Sequence, residues 1–260
     1  VATRMCAFAI GEDTGGSIRN PAGWTNTTSL KVTYGRVSRY GAIAYASSFD
    51  TVGPVAKTVN DCAIILETIA GIDQYDATSS PNPVPKYSSL LNTDLSKITV
   101  GIPTEFYGKG IDPEIKTAVL KVSTDLQNAG AKIKEVSMPL FDLCLPAYYL
   151  IGPSETSSNL ARYDGVRYGN NRDNFTDEST RRILIGTYAL SAGYYDAYYK
   201  KAQQVRTLFI DEYNKALSQC DILLQPIMPN NPPKFGELLG DPLQNLLADI
   251  PAPQPETKVI

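Results

Sequence analysis

The chain has 260 residues, 43% of them hydrophobic, enough to bury a sizeable core as one large domain or a compact pair. A formal net charge of −3 argues against broad binding of nucleic acid or anionic membrane by the chain itself. It contains no histidine, which excludes a Ser-His-Asp triad, a Cys-His pair and a His-ligated zinc within these residues.

In chain order the first feature is a glycine loop, Gly11-Glu12-Asp13-Thr14-Gly15-Gly16-Ser17-Ile18-Arg19-Asn20-Pro21-Ala22, which sets a hydroxyl directly after two glycines. Without a Cβ the backbone can turn sharply and bring successive N–H groups towards a bound carbonyl. The amides of Thr14, Gly15, Gly16 and Ser17 are therefore candidate oxyanion donors, and losing one such donor in a hydrolase costs about 10²–10³ in rate. Ser17 is the candidate nucleophile, and with no imidazole in the chain its base would be a lysine. Asp13 and Arg19 flank the loop at a spacing that lets them pair across it and hold its shape. On these residues alone a plain surface turn is the commoner reading.

Residues 60 to 70 then read as a helix, with Asn60 as N-cap, Cys62, Ile65, Leu66 and Ile69 on one face, and Gly71 past the end. A Pro- and Gly-bearing loop from Ser79 to Lys86 precedes a short apolar run at 98 to 102 that reads as a buried strand. Asp112-Pro113-Glu114 opens a second helix with Ile115, Val119, Val122 and Leu126 as its buried stripe, closed by Gly130. A long helical stretch is expected from about 181 to 218, with Tyr188, Tyr194, Tyr195, Tyr198 and Tyr199 making core and subunit contacts. A second strand is expected at 221 to 226 and a loop from Pro226 to Gly236. Pro251, Pro253 and Pro255 predict an extended tail over residues 251–260. The alternation favours an α/β fold, a mixed, largely parallel sheet covered by helices. Four cysteines, Cys6, Cys62, Cys144 and Cys220, lie far apart with no CxxC spacing, which reads as free thiols in a reducing compartment. No spanning segment or signal peptide is visible.

Residues 11–22 resemble the glycine- and serine-rich signature of the amidase signature family, and KVTYGRVSRYGAIAYASSFDTVGP at 31–54 resembles the segment that follows it there. YYLIGPSETSSNLARYDGVRYG at 148–169, RRILIGTYALSAGYYDAYYKKAQQVRTL at 181–208 and DPLQNLLADI at 241–250 place the likeness in the A-subunit branch of the tRNA-dependent amidotransferases. The resemblance implies one partial amidase signature domain over residues 1–260, truncated at its N-terminus and altered or truncated at its C-terminus. It implies amide hydrolysis through an acyl-enzyme, with a Ser, a cis-Ser and a Lys. Ser17 falls on the nucleophile, while the cis-Ser and Lys would lie upstream, so the chain alone is expected to be inactive. Arg182 would hold the α-carboxylate of glutamine, Asp249 its α-amino group, and Tyr148 would line the pocket.

Each of these three has a plainer reading: a solvated Arg-Arg pair, a surface charge and a core aromatic. Glu12 departs from the pattern, since the family commonly has a small residue there. No cofactor or metal is expected in this chain. ATP and Mg2+ would belong to a partner subunit, with subunits B and C as partners and the tRNA gripped mainly by the partner. The compartment implied is the cytoplasm, or an organellar matrix if a targeting segment has been lost. A free-standing amidase acting on another amide, and an inactive fragment or structural partner, are the alternatives.

Overall fold

The computed structural model describes residues 1–108 and 110–237. Its strands form two small sheets. β1 (Ala9–Asp13), β2 (Thr28–Ser29) and β3 (Thr51–Ala56) make an antiparallel sheet in the order β1-β3-β2, with Ala9 opposite Val55 and Asp13 opposite Thr51. β4 (Thr99–Pro103), β5 (Lys132–Val136) and β6 (Ile222–Leu223) make a parallel sheet in the order β5-β4-β6. The α/β class holds, with both strand senses present.

A short helix α1 (Arg19–Thr25) follows the glycine loop. α2 (Val59–Ile69) occupies the stretch read as 60–70 and turns Cys62 and Leu66 inward, but its cap is Thr58, whose hydroxyl accepts from the Asp61 amide at 3.1 Å; Asn60 already lies inside the helix. α3 (Pro113–Asn128) starts as expected, with the Asp112 carboxylate accepting from the Glu114 amide at 2.7 Å. Its inner face carries Val119, Leu120 and Leu126, whereas Val122 points outward and is 45% exposed. α3 connects β4 to β5 as the crossover that parallel strands need. Val100, Ile102, Val136 and Met138 pack with Phe209, Tyr213 and Ala216 into the core of this half.

α4 (Cys144–Asn159) contains Pro153 and packs against both α5 (Asp177–Leu190) and α6 (Lys201–Leu217). The long helix expected over 181–218 is thus two helices. The break falls at Ser191-Ala192-Gly193, where Gly193 takes φ +87°, and the chain re-enters through a π-helical turn at Asp196–Lys200. Tyr188, Tyr194, Tyr195 and Tyr198 are exposed rather than core residues; Tyr188, Tyr194 and Tyr198 lie against one another, with Tyr188 and Tyr194 centroids 4.4 Å apart. Tyr199 is partly buried against the cluster of Ala46, Phe49, Ala147, Tyr148, Ile151 and Ala202. The four cysteines are unbonded to one another. Residues 241–250, the tail at 251–260 and Asp249 lie outside the described residues.

Candidate active site

β1 carries the chain into the interior and ends on Asp13, whose side chain is fully buried. The glycine loop then folds around that carboxylate. The amides of Gly16, Ile18 and Arg19 donate to it at 2.8, 3.3 and 3.3 Å, and Arg19 Nε and Nη2 each donate at 3.0 Å. The Lys31 ammonium stands 3.8 Å away. Burial by itself raises the Asp13 pKa, but the hydrogen bonds and charge of Arg19, then Lys31 and the Gly16 amide, outweigh it and hold the group below the ordinary carboxylate range. Gly16 takes φ +133°, which a residue with a Cβ rarely adopts. The pairing expected of Asp13 and Arg19 is therefore the centre of the loop's architecture. It also engages the Gly16 amide within the loop.

A second carboxylate braces the loop from the side. The Thr14 hydroxyl donates to Asp50 Oδ1 at 2.6 Å, and the amides of Tyr45 and Ala46 donate to the same group at 2.9 and 3.0 Å. The turn bearing Asp50 is itself tied down by helices: Glu155 of α4 accepts from the amide and hydroxyl of Ser48, and Arg206 of α6 donates to Ser48 and lies over the Phe49 ring.

Ser17 sits on the turn immediately before α1 and is exposed, and its hydroxyl takes no hydrogen bond from any described residue. Nearby Lys31 is not a free base for it. Its ammonium donates to the Asp13 carbonyl, the Phe49 carbonyl and the Thr51 hydroxyl at 2.8, 2.9 and 3.1 Å.

Tyr148 belongs to the same site. A Cβ added at Gly15 would overlap the Tyr148 ring and hydroxyl, so the glycine is what lets the aromatic lie against the loop. Tyr148 packs edge-on to Phe49 and Tyr149, and Arg182 of α5 lies over the Tyr149 ring at 5.4 Å. Arg182 Nε donates to Glu178 at 2.6 Å and Nη1 donates to the Tyr45 hydroxyl at 2.7 Å, while Nη2 has no partner among the described residues. Burial would lower its pKa; Tyr45 and Glu178 overcome that and raise it, so the guanidinium stays charged. Arg181, the other member of the Arg-Arg pair, pairs with Glu178 on the exposed side.

Asp50, Tyr45, Tyr149 and Glu178 were not picked out from the sequence. Glu178 had a legible signal, its spacing of four residues before Arg182 on one helix; the other three carry no spacing motif. Among the described residues no group of three His, Cys, Asp or Glu comes together as a metal site.

A serine presented without histidine, on a glycine turn braced by the chain's own carboxylates, defines a class. Residues 1–254 match the family model described as Amidase, and the chain belongs to that family. Within it the likeness is to one kind of subunit. The A subunit of glutamyl-tRNA(Gln) amidotransferase from Brevibacillus brevis is 49% identical over 96% of this chain and 54% of its own length. The same subunit from Halorhodospira halophila is 48% identical over 96% of this chain and 55% of its own. The crystal structure of the glutamyl-tRNA(Gln) amidotransferase A subunit from Thermotoga maritima superposes with a TM-score of 0.81 at 39% identity, covering 97% of this chain and 53% of that one. The chain thus spans about half the length of the curated relatives it matches.

Proposed function

We propose that this chain is the nucleophile-bearing part of a glutamine-hydrolysing amidotransferase component that supplies ammonia for converting Glu-tRNA(Gln) to Gln-tRNA(Gln) or Asp-tRNA(Asn) to Asn-tRNA(Asn). The observation that carries the reading is an exposed, unbonded Ser17 hydroxyl on a turn held rigid from beneath by Asp13. Ser17 Oγ attacks the γ-carboxamide carbon of glutamine. The negative oxygen of the tetrahedral intermediate is received by loop amides, of which Thr14, Gly15 and Ser17 are the candidates once Gly16 is engaged with Asp13. The C–N bond breaks, ammonia departs with the proton taken from Ser17, and water hydrolyses the γ-glutamyl ester to glutamate, freeing Ser17.

The proton relay is the Lys and cis-Ser that the family resemblance implies upstream of these residues. Arg182 answers the α-carboxylate through its Nη2 edge, held in place by Glu178 and Tyr45. Tyr148 walls the pocket against Gly15, and Asp249 takes the α-ammonium. ATP and Mg2+ act in a partner subunit, the partners are subunits B and C, and the tRNA is gripped chiefly by the partner, in keeping with the chain's net charge of −3. The compartment is the cytoplasm; no helix among the described residues is long and apolar enough to cross a membrane.

The test is ammonia release from glutamine by this chain and by one extended upstream through the Lys and cis-Ser, each against Ser17→Ala. Release from the extended chain alone, abolished by Ser17→Ala, is the expected result. Ser17→Ala should leave stability within about 0.5 kcal/mol, as for an exposed side chain without partners. Activity that survives Ser17→Ala overturns the assignment, and turnover of simple aryl or aliphatic amides with no need for the α-groups favours a free-standing amidase instead.

A further inference from the structure

Glu12 stands on β1 opposite Val52, one residue before the carboxylate that organises the signature loop. Its Oε1 is buried and has no hydrogen-bond partner among the described residues. It lines a cavity of about 180 Å3 together with Arg39, Tyr40, Asp50, Tyr75 and Asp76. The cations around it attract its charge but direct their hydrogen bonds to other groups. Arg39 donates to the carbonyls of Ser47 and Asp50 and to the Thr78 hydroxyl, and its Nε faces Asp76 at 3.8 Å. Lys31 is spent on Asp13, Phe49 and Thr51. Among the charged groups that act on Glu12, Asp50 is the one that opposes its ionisation, and it is the group that holds Thr14 and the amides of residues 45 and 46.

We propose that Glu12 is a positioning residue: carrying a proton, it leaves Asp50 free to clamp Thr14, and on losing that proton it sets two carboxylates against each other and loosens the signature loop. The proposal rests on the reading of that loop as the oxyanion site. It concerns a residue that departs from the small side chain expected at this position.

The direction of the pH effect follows from the surroundings. Burial first, and then Asp50, push the Glu12 pKa up to about 7 against the opposing pull of Arg39 and Lys31; burial raises the Asp50 pKa as well, opposed by the hydrogen bonds from Thr14 and the amides of Ala46 and Tyr45, which favour its ionised form. In an opened, solvated loop the same carboxyl returns to its ordinary value of 4.5. The closed loop is therefore fully favoured below the solvated value, loses ground as pH rises towards 7, and levels off above it. A displacement of that size corresponds to ~300-fold in the opening equilibrium. Glu12 is only half-buried, so solvent screening reduces the change to be read to about tenfold.

Hydrogen exchange of the 260-residue chain, followed by mass spectrometry and corrected for the intrinsic pH dependence of exchange, tests this. Peptides spanning 11–20 and 44–51 should open about tenfold more readily at about pH 7.5 than at about pH 5, and in Glu12→Gln they should change by less than about twofold. Equal pH dependence in both proteins overturns the proposal, as does a change spread equally over α3. Should Glu12→Gln fail to fold, Glu12→Ser carries the same expectation. If the extended chain releases no ammonia while the pH-dependent opening is present, the amidase reading fails and the positioning role of Glu12 stands as a property of the loop. If ammonia is released and the opening is flat with pH, the positioning role alone fails.

Discussion

Replacing Asp13 with alanine tests the architecture of the site at its centre. The substitution removes a fully buried carboxylate that accepts three backbone amides and two guanidinium N–H groups, and it takes the Asp13 counter-charge from Arg19, whose side chain is 10% exposed. The five hydrogen bonds cannot be summed, because they share one acceptor and fail together. Breaking a buried charge pair by removing one partner costs about 3–5 kcal/mol, chiefly because the surviving buried charge loses its counter-charge. At ~2–4 °C per kcal/mol for a chain of this size, melting should fall by roughly 6–20 °C. Urea unfolding followed by circular dichroism measures the cost. Arg19→Leu and the double variant complete the cycle. With both members of the pair gone, the double variant should recover about 2–3 kcal/mol of the summed single losses. A cost for Asp13→Ala below about 1 kcal/mol, or singles that simply add, refutes the view that this pair holds the loop.

Two other substitutions probe close approaches. Gly15→Ala drives a methyl group into the Tyr148 ring, which Phe49 and Tyr149 keep from swinging aside; it should lower ammonia release by the extended chain about 10²-fold while costing about 1–3 kcal/mol in urea unfolding. Full activity in that variant would mean that Tyr148 is no fixed wall of the pocket. Gly186→Ala on α5 meets the backbone carbonyl of Pro153 on α4, where no side chain can yield, and should cost about 1–3 kcal/mol. Alanine at exposed Thr187 next to it should stay within about 0.5 kcal/mol; equal costs at the two positions would show that the α4–α5 approach is not tight.

The parts of the fold with local punctuation were readable from sequence. α3 begins at Asp112-Pro113 and stops before Gly130, and α2 stops before Gly71, because capping and backbone chemistry act on the residues that display them. Where the determining contact is distant, reading failed. β3 contains Pro54 and Gly53 and becomes a strand only because β1 and β2 pair on either side of it. β5 is Lys-Ile-Lys-Glu-Val, mostly exposed, and its partner β4 supplies the reason for its conformation. α4 runs through Pro153, a residue that argues locally for a helix end. The join in the long 181–218 stretch was visible as Ser191-Ala192-Gly193, but the helical periodicity on both sides concealed it.

At the site, Asp13, Arg19 and the loop followed from spacing within one short segment. Asp50 reaches Thr14 across thirty-six positions, and nothing in either segment announces that pairing.

A glycine-rich turn feeding a helix is the usual cradle for a phosphate, because its amides converge on a negative charge. Here that place is taken. The carboxylate of Asp13 sits where a phosphate oxygen would, and the chain carries its own anion as a permanent tenant. Such a loop is closed to phosphorylated metabolites at those amides, because the Asp13 carboxylate already takes their hydrogen bonds.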